Sequence, residues 1–508
     1  MRSARIIAFI CMLFVVTASH GANVSFMNTY GGLRYDNGAS CKTTADGGII
    51  MAGSTGSFGL GDADMYMVKT NSAGVYQWSQ SYGGLFTENC NAIIETADTG
   101  FMLVGYTNSY GAGQFDMFVV KTDSLGDTLW TRALGGAGWD FAYDVIQSVD
   151  GNYIVVGETY STAGGDNDVF IVKLDVNGNT LWTKSYGGVN QDFGRAIVEL
   201  SDSMLVIAGG TSSLGSGGLD VLLLKLSAQG DSLWARAHGG ADDDWARDVI
   251  ITNDNSISAL GVTWSFSTDF VEMYHIKTDN SGTTLIFQAN WGQINNQEGF
   301  QLLQRQNGNY QLFGYTMTSG GGAKDFILQE VNSGGGFISG KTYGGNLDDI
   351  GHSMARTSDN GLILFGTTNG FGVGLDDYLL VKTDSVGNDS IGNPMLSNSI
   401  IQYEDTAIAE APVSIFSPEV AESTIKVYPV PITTNAVIDL SGLVTFGEEL
   451  SFELINGMGQ VVKRQVLRES TFTFSREGID DGIYTYLILH QTGNSMKRYT
   501  GNLVIISK

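Results

Sequence analysis

Residues 135–186 read GGAGWDFAYDVIQSVDGNYIVVGETYSTAGGDNDVFIVKLDVNGNTLWTKSY, and this frame repeats along most of the 508-residue chain. Each copy begins with a Gly-Gly pair, usually after an aromatic residue. The pairs start at Gly31, Gly83, Gly135, Gly187, Gly239 and Gly344, and Trp291 and Gly292 take their place in the sixth copy. The spacing is 52 residues with one step of 53, which indicates an array of like structural units.

Each unit predicts four short strands. An acid such as Asp140 follows the corner, a short first strand such as 144–146 comes next, and Tyr153 begins a second apolar run after a glycine turn. The third strand is a continuous apolar run such as 169–172, which favours burial on both faces of a sheet. Trp182 marks the fourth strand. Four strands in about 50 residues predict one blade of a β-propeller, and a β-solenoid is the alternative.

The two ends of the array favour the propeller. Phe26 precedes Gly31 by the same offset as Trp78 precedes Gly83, so residues near Phe26 read as a fourth strand without the first three. The seventh unit has three strands and loses the pattern after Gly387. Donation of the N-terminal strand to the last blade would close the ring and remove two exposed sheet edges. We therefore predict an all-β fold with a seven-bladed propeller over residues 23–389.

Residues 1–22 have the pattern of a secretory signal peptide, with Arg2 and Arg5 before the apolar run 6–16. No later segment approaches the ~20 apolar residues of a membrane span. The formal net charge is −26, and it becomes −28 when this leader is removed. Such an acidic chain is a poor partner for nucleic acid. Only Cys41 and Cys90 remain in the mature chain, so no disulfide framework is expected.

The composition changes after residue 390, where all five prolines lie. Residues 390–424 lack the repeat markers and read as a linker. Residues 425–508 contain short alternating strands separated by turn sequences, which predict a small Ig-like β-sandwich.

Three motifs of this last segment resemble the C-terminal sorting domain of the type IX secretion system of Bacteroidota. They are the stretch with Tyr428, Pro429 and Pro431, the Asn-Gly turn with Gly457 and Gly459, and the pair Gly482 and Tyr484. The resemblance implies export, handling by the type IX secretion machinery in the outer membrane, and delivery to the cell surface or the medium. The repeat units also resemble those found beside such tails in secreted Bacteroidota proteins.

Acids recur at fixed places in the units, at Asp36 and its equivalents and again at the start of each third strand. The simpler interpretation is structural, because a carboxylate at a tight turn accepts backbone N–H groups. Calcium is the alternative cofactor, since the chain offers clusters such as Asp242, Asp243 and Asp244. No complete calcium-loop spacing is present, and the four histidines of the mature chain lack the spacing of a zinc site.

A candidate binding site lies where the repeat varies most, eight residues after the first corner glycine. The series reads Ala39, Asn91, Tyr143, Arg195, Arg247, Phe300 and His352. If this position faces the central channel, Tyr143, Arg195, Arg247 and His352 would line one mouth and meet an anionic or sugar ligand. Ordinary channel-wall residues are the alternative. Trp139, Phe141, Phe193 and Trp245 are expected in nearby loops, for stacking on a ligand or for packing between blades.

No catalytic motif is evident, so the sequence favours a secreted or surface-anchored module that binds glycan or protein ligands or mediates adhesion. A carbohydrate-active lyase or hydrolase that uses the channel residues is the first alternative. A structural surface-layer component is the second.

Overall fold

The computed structural model describes residues 25–161, 166–267, 270–292, 295–372 and 374–389, together with shorter segments between residues 400 and 505. All regular elements among them are β-strands. No helix in this part of the chain is long and apolar enough to cross a membrane. The predicted signal peptide and most of the predicted linker lie outside the described residues.

Seven antiparallel sheets account for residues 26–383. The strands are β1 (Phe26–Tyr30); β2 (Asp36–Thr43), β3 (Ile49–Thr55), β4 (Asp64–Thr70) and β5 (Tyr76–Tyr82) in blade 1; β6 (Glu88–Glu95), β7 (Phe101–Thr107), β8 (Asp116–Thr122) and β9 (Thr128–Leu134) in blade 2; β10 (Asp140–Gln147), β11 (Tyr153–Thr159), β12 (Asp168–Leu174) and β13 (Thr180–Tyr186) in blade 3; β14 (Asp192–Glu199), β15 (Leu205–Thr211), β16 (Asp220–Leu226) and β17 (Ser232–His238) in blade 4; β18 (Asp244–Ile251), β19 (Ile257–Thr263), β20 (Glu272–Thr278) and β21 (Leu285–Trp291) in blade 5; β22 (Gln297–Gln304), β23 (Tyr310–Thr316), β24 (Asp325–Val331) and β25 (Phe337–Tyr343) in blade 6; and β26 (Asp349–Arg356), β27 (Leu362–Thr368) and β28 (Asp377–Thr383) in blade 7.

The seven sheets close into a ring, which confirms the predicted propeller. The first strand of each blade contacts the first strand of the next, and β26 returns to β2. β1 pairs antiparallel with β28, with Phe26 opposite Lys382 and Tyr30 opposite Tyr378. A two-residue strand, β29 (Ile400–Ile401), pairs parallel with the outer side of β1. The N-terminal strand therefore completes blade 7, as the offset of Phe26 predicted.

The core lies between the blades and follows from the continuous apolar runs. Every residue of β4, β8, β16 and β28 is buried, because neighbouring sheets cover both faces of these strands. In one interface, Met102 and Met117 of blade 2 pack with Val145 and Val155 of blade 3. Cys41 and Cys90 are buried and unbonded to each other, as expected of small core residues.

The Gly-Gly corners all lie at one end of the propeller, which we call the corner face. A Cβ atom on Gly83 would lie 1.9 Å from Asp64 Oδ1 and 2.4 Å from Glu88 Oε2, so glycine is required there. The next N–H, that of Gly84, donates to Glu88 Oε2 at 2.6 Å. The same contact recurs at Asp36, Asp140, Asp192, Asp244 and Asp349. These acids therefore have the structural role predicted for them.

The opposite end carries the hairpins between third and fourth strands, and aromatic residues tie these hairpins to the preceding blade. The ring of Trp182 in blade 3 lies against the turn at Gly230 of blade 4, whose φ is 82°. The hydroxyl of Tyr82 donates to the carbonyl of Gly126 at 2.7 Å. Trp78, Trp130 and Trp234 make the equivalent ring contact with the following blade. This contact explains why the tryptophans and the turn glycines recur with the same 52-residue spacing.

The described strands of the C-terminal segment form two antiparallel sheets. They are β30 (Lys426–Tyr428), β31 (Asn435–Asp439), β32 (Leu450–Ile455), β33 (Val461–Leu467), β34 (Thr471–Ser475), β35 (Gly482–Thr492) and β36 (Ser495–Ile505). Phe452 of one sheet packs on Phe472 and Phe474 of the other, with ring centroids 5.0 and 5.9 Å apart. An Ig-like sandwich stays a prediction.

The motif residues of that segment are described only in part. Tyr428 ends β30, and Gly482 and Tyr484 lie in β35. The other motif residues, Pro429, Pro431, Gly457 and Gly459, lie outside the described residues.

Candidate binding site

The variable position is a β-bulge in every blade. The pairing between the first and second strands skips one residue, and that residue is the variable one: Ala39, Asn91, Tyr143, Arg195, Arg247, Phe300 and His352. A bulged residue leaves the strand ladder and its side chain is aimed differently from those of its neighbours. The same β-bulge therefore occurs in all seven blades, and the side chain of the bulged residue differs from blade to blade.

Arg195 lies flat against aromatic rings near the corner face. Its guanidinium carbon is 3.5 Å from the centroid of the Tyr143 ring and 4.8 Å from that of Phe193. Within the described part of the chain, no carboxylate comes within 4.0 Å of the Arg195 guanidinium. Stacking holds the plane of this cation, and its charge is not neutralised by an ion pair.

Arg247 is held differently. Its guanidinium carbon lies 3.9 Å from the centroid of Phe300, and its Nη2 donates to Glu298 Oε2 at 2.5 Å. The other oxygen of Glu298 accepts the hydroxyl of Tyr315 at 2.5 Å. Burial lowers the pKa of Arg247, and the Glu298 charge opposes that effect. Its Nε has no hydrogen-bond partner among the described atoms.

A cavity of about 270 Å³ lies between these two arginines. Its lining comes from blades 4 and 5 and consists of Phe193, Arg195, Leu219, Trp245 and Arg247. Trp245 and Phe193 are the second residues of β18 and β14, and Leu219 immediately precedes β16. The arrangement combines two donor side chains with two aromatic rings.

Tyr143 and His352 do not line this cavity. The hydroxyl of Tyr143 donates to Glu158, and burial raises the pKa of Tyr143. The ring of His352 lies 4.8 Å from that of Phe300, and its Nδ1 is 2.6 Å from the carbonyl oxygen of Gly38. Burial lowers the pKa of His352 to about 4, so the ring is neutral at physiological pH. The structure thus brings Arg195 and Arg247 to one cavity and places Tyr143 and His352 in contacts beside it.

The aromatic residues expected in loops lie mainly in strands. Phe141, Phe193 and Trp245 are in β10, β14 and β18, and only Trp139 precedes its strand. The expectation failed because the first strand begins directly at the acid. Phe141 and Trp139 pack between blades 2 and 3 in a cluster with Tyr106, Phe115 and Tyr160. Of the four predicted rings, Phe193 and Trp245 reach the cavity.

Sequence reasoning missed Glu298, Leu219 and Glu158. Glu298 is the second residue of the first strand of its blade, as Phe193 and Trp245 are in theirs. In the other six blades this position holds asparagine, an aromatic residue or isoleucine. That break in the repeat was a usable signal. Glu158 gave a weaker signal, because it follows the strand glycine, where the units vary freely.

No group of three or more histidine, cysteine, aspartate or glutamate side chains close enough to hold a metal occurs among the described residues. His238 contacts the carbonyl of Gly282 at 3.2 Å, in the place of the tyrosines that bind hairpin glycines elsewhere. His275 packs between Phe287 and Tyr310. These histidines belong to the scaffold.

Comparison with known families indicates where the protein is delivered. Residues 426–501 match the family described as the secretion system C-terminal sorting domain. The match covers the segment in which the type IX motifs were found. The chain is therefore a β-propeller protein that is secreted or attached to the cell surface.

Similarity to individual proteins is limited. The chain is 25% identical over 194 residues to the regulatory protein FlaEY of Caulobacter vibrioides, a match that covers 33% of this chain and 20% of that protein. The extracellular domain of a hybrid two component system of B. thetaiotaomicron is 10% identical, with a TM-score of 0.41 and coverage of 93% and 57% of the two chains. The β-propeller domain of the Trilobed protease of Pyrococcus furiosus is 9% identical, with a TM-score of 0.40 and coverage of 73% and 99%.

Proposed function

We propose that this secreted propeller protein is a binding module for a glycan or protein ligand, and that Arg195 and Arg247 hold the ligand at the corner-face mouth of the channel. The observation that supports the proposal is the cavity between the two arginines, which side chains line but do not fill. Binding sites are concave and combine apolar walls with a few convergent polar groups, as this cavity does.

The distribution of variation along the repeat supports the same interpretation. Corner glycines, their acids and the hairpin aromatics recur because they hold the blades together. The bulge position differs, since its backbone leaves the ladder in every blade and its side chain changes from blade to blade. Two arginines at adjacent bulges lie beside unfilled space.

The test is an Arg195→Ala/Arg247→Ala double variant of the mature chain, measured against wild type on arrays of glycans and surface proteins. We expect loss of at least about tenfold in affinity for the ligand, since hydrogen bonds to charged groups contribute about 1.5–3 kcal/mol each. A Lys184→Ala/Arg236→Ala variant removes the same charge from the outer strands β13 and β17 and should bind as wild type. Equal binding by the cavity variant and wild type would overturn the proposal.

A lyase or hydrolase at the same residues is the competing function. The contacts favour binding, because the Tyr143 hydroxyl is engaged by Glu158 and Nδ1 of His352 by a backbone carbonyl. The same preparations test this alternative on a panel of polysaccharides. If wild type releases product from a polysaccharide and the arginine variant does not, the protein is an enzyme and the binding-module proposal is wrong.

Handling by the type IX machinery is the second part of the proposal, and the match of residues 426–501 supports it. Deletion of residues 425–508 should leave a folded propeller in the periplasm of the producing cell. Protease accessibility at the surface of intact cells measures the outcome. Surface display without those residues would contradict the assignment.

A further inference from the structure

We infer that the cavity between Arg195 and Arg247 recognises an isolated acidic sugar, one carboxylated or sulfated ring within an otherwise neutral glycan. This inference rests on the proposed binding function of the same cavity and names the class of ligand that its lining fits. It is argued from four features of the molecule: the unpaired cation, the rings, the hydrogen-bonding character of the lining and the charge of the surroundings.

The cavity holds one cation that has a counter-ion and one that does not. Glu298 pairs with Arg247 at 2.5 Å, whereas none of the described carboxylates lies within ion-pair distance of Arg195. Stacking on Tyr143 fixes the guanidinium plane of Arg195 at 3.5 Å from the ring. A fixed fork of N–H donors matches the two oxygens of a carboxylate or sulfate. The site therefore has room for a single compensating negative charge.

The remaining walls fit the face of a sugar ring. Trp245 is half-buried and Phe193 is buried, so one ring is partly available to a ligand and the other closes the wall. Leu219 completes the apolar part. The cavity volume of about 270 Å³ is just below the range of about 300–1,000 Å³ typical of drug-sized ligands. Such a volume suits one monosaccharide and leaves the rest of a glycan outside.

The hydrogen-bonding character of the lining favours a sugar over a peptide. Both guanidinium groups are hydrogen-bond donors, and the backbone N–H of Leu219 is already bound to Asp243 Oδ1 at 2.9 Å. An acidic sugar offers acceptors in its charged group, its ring oxygen and its hydroxyls, and each hydroxyl can accept from the lining while its own rotatable O–H donates to solvent. A peptide segment brings an N–H donor with each carbonyl, and each buried donor requires an acceptor. Glu298, the acidic partner of Arg247, is occupied on both oxygens.

The charge of the whole molecule limits how many acidic groups the ligand carries. The chain has a formal net charge of −26, and Asp242 and Asp243 lie on the exposed loop that leads into β18. Charges beyond roughly 8 Å are screened at physiological ionic strength, but those of a closely bound polyanion are not. A dense polyanion would place further negative charges against these acids, whereas a single acidic ring among neutral sugars places its one charge at the arginines.

The experiment measures affinity of the full mature chain for matched probes by isothermal titration calorimetry. The probes are a neutral oligosaccharide, the same oligosaccharide with one glucuronic acid, its methyl ester, and the same oligosaccharide with one sulfate. Polygalacturonate and a poly-glutamate peptide complete the set. We expect the glucuronate or the sulfated probe to bind at least about tenfold more tightly than the neutral and esterified probes. Which of the two binds better identifies the acidic group.

Two variants connect that preference to the cavity. Arg195→Lys keeps the charge and loses the planar fork, so the advantage of the acidic probe should fall severalfold while the neutral probe is unaffected. Trp245→Ala should weaken the acidic probe as well. Trp264→Ala removes another exposed tryptophan of the corner face, outside the cavity lining, and should bind as wild type.

The outcomes separate this inference from the proposed function. If neither the glucuronate nor the sulfated probe binds more tightly than the neutral and esterified probes, or if polygalacturonate binds more tightly than both, the inference is overturned. Tighter binding of the poly-glutamate peptide would overturn it in favour of an acidic protein partner. In each case a ligand whose binding still depends on Arg195 and Arg247 would leave the binding function standing. If no ligand depends on those arginines, both fail.

Discussion

At the scale of single residues, the corner glycines leave no room for a Cβ atom. The space beside the first glycine of each pair is taken by two carboxyl groups, one from the third strand of a blade and one from the first strand of the next. At Gly135 these are Asp116 and Asp140, and at Gly239 they are Asp220 and Asp244. The corner therefore brings two acids together across a blade interface, which only glycine permits.

We predict that Gly83→Ala destabilises the propeller by about 1–3 kcal/mol or more, because its methyl group would displace the carboxyl groups of Asp64 and Glu88. Urea denaturation followed by tryptophan fluorescence measures the change. Gly340→Ala is the control. Gly340 is exposed in β25 and its new methyl group would meet nothing closer than 3.6 Å, so a change within about 0.5 kcal/mol is expected. Equal effects of the two substitutions would contradict the steric argument.

The paired acids also predict a pH dependence. Burial raises the pKa of Asp64 to about 7, and the charge of Glu88 adds to the rise. The folded state thus holds this proton more tightly than the unfolded chain, in which an aspartate titrates near about 3.9. The stabilisation is present at low pH and is lost as the pH rises through about 7. Buried histidines act in the opposite direction below about pH 6.5, so a variant comparison is needed.

We therefore predict that the stability of wild type relative to Asp64→Asn falls by roughly 1 kcal/mol between pH 6 and pH 8. Urea midpoints at several pH values give the difference, in which the histidine contributions cancel. Asp242→Asn removes an exposed carboxylate and is the control for the loss of one negative charge. A constant difference for Asp64→Asn would show that Asp64 ionises as an ordinary surface acid.

At the scale of elements, each fourth strand is joined to the hairpin of the next blade. The Trp182 ring on the Gly230 turn and the Tyr82 hydroxyl on the Gly126 carbonyl are examples. Buried lysines add a second link within blades 1, 2, 3, 5 and 7, such as Lys121 with Asp98 at 2.9 Å. In blade 6 the lysine position is Glu330, and Arg305 supplies the opposite charge at 3.0 Å. Blade 6 therefore keeps an ion pair here, but the acidic residue takes the lysine position in the third strand.

We predict that Trp182→Ala costs up to about 3 kcal/mol, since it opens a gap between blades 3 and 4 at a half-buried ring. Leu181→Ala is the matched control from the same strand, because Leu181 is 51% exposed and should change stability by less than about 0.5 kcal/mol. Thermal and urea unfolding measure both. If the two variants are equally stable, the ring contact does not hold the blades together.

At the scale of the whole molecule, closure depends on one short strand. β1 supplies the fourth strand of blade 7, and its residues pair with residues of β28 that lie 348 to 356 positions away in the sequence. Without β1, the backbone groups of β28 would form an open sheet edge. Such an edge is a template for pairing with another chain.

We predict that a mature chain lacking residues 24–30 associates through blade 7 or loses thermal stability, and that a synthetic peptide of residues 24–30 restores the monomer in trans. Size-exclusion chromatography and thermal melting measure the two effects. The same peptide with Met27→Pro lacks a backbone donor in the strand and should not restore it. A stable monomer without the strand and without the peptide would contradict the closure.

Much of this protein was determined by its sequence alone. The 52-residue period, the four strands of each blade, the closing strand at Phe26 and the sorting segment were all predicted, because they depend on local patterns. Turn glycines, apolar runs and corner acids act on neighbours a few residues away, and the same pattern occurs seven times. Because each pattern is repeated, it can be recognised in the sequence without knowledge of how the blades pack.

Only the tertiary structure decided how the variable residues combine. Tyr143, Arg195, Arg247 and His352 were equivalent in the sequence, yet two of them line a cavity and two do not. Their partners come from elsewhere in the chain: Glu158 is 15 residues from Tyr143, Glu298 is 51 from Arg247, and Gly38 is 314 from His352. A bulge frees a side chain from the strand pattern, so its direction is set by the neighbouring blade, and that neighbour is defined only when the ring closes.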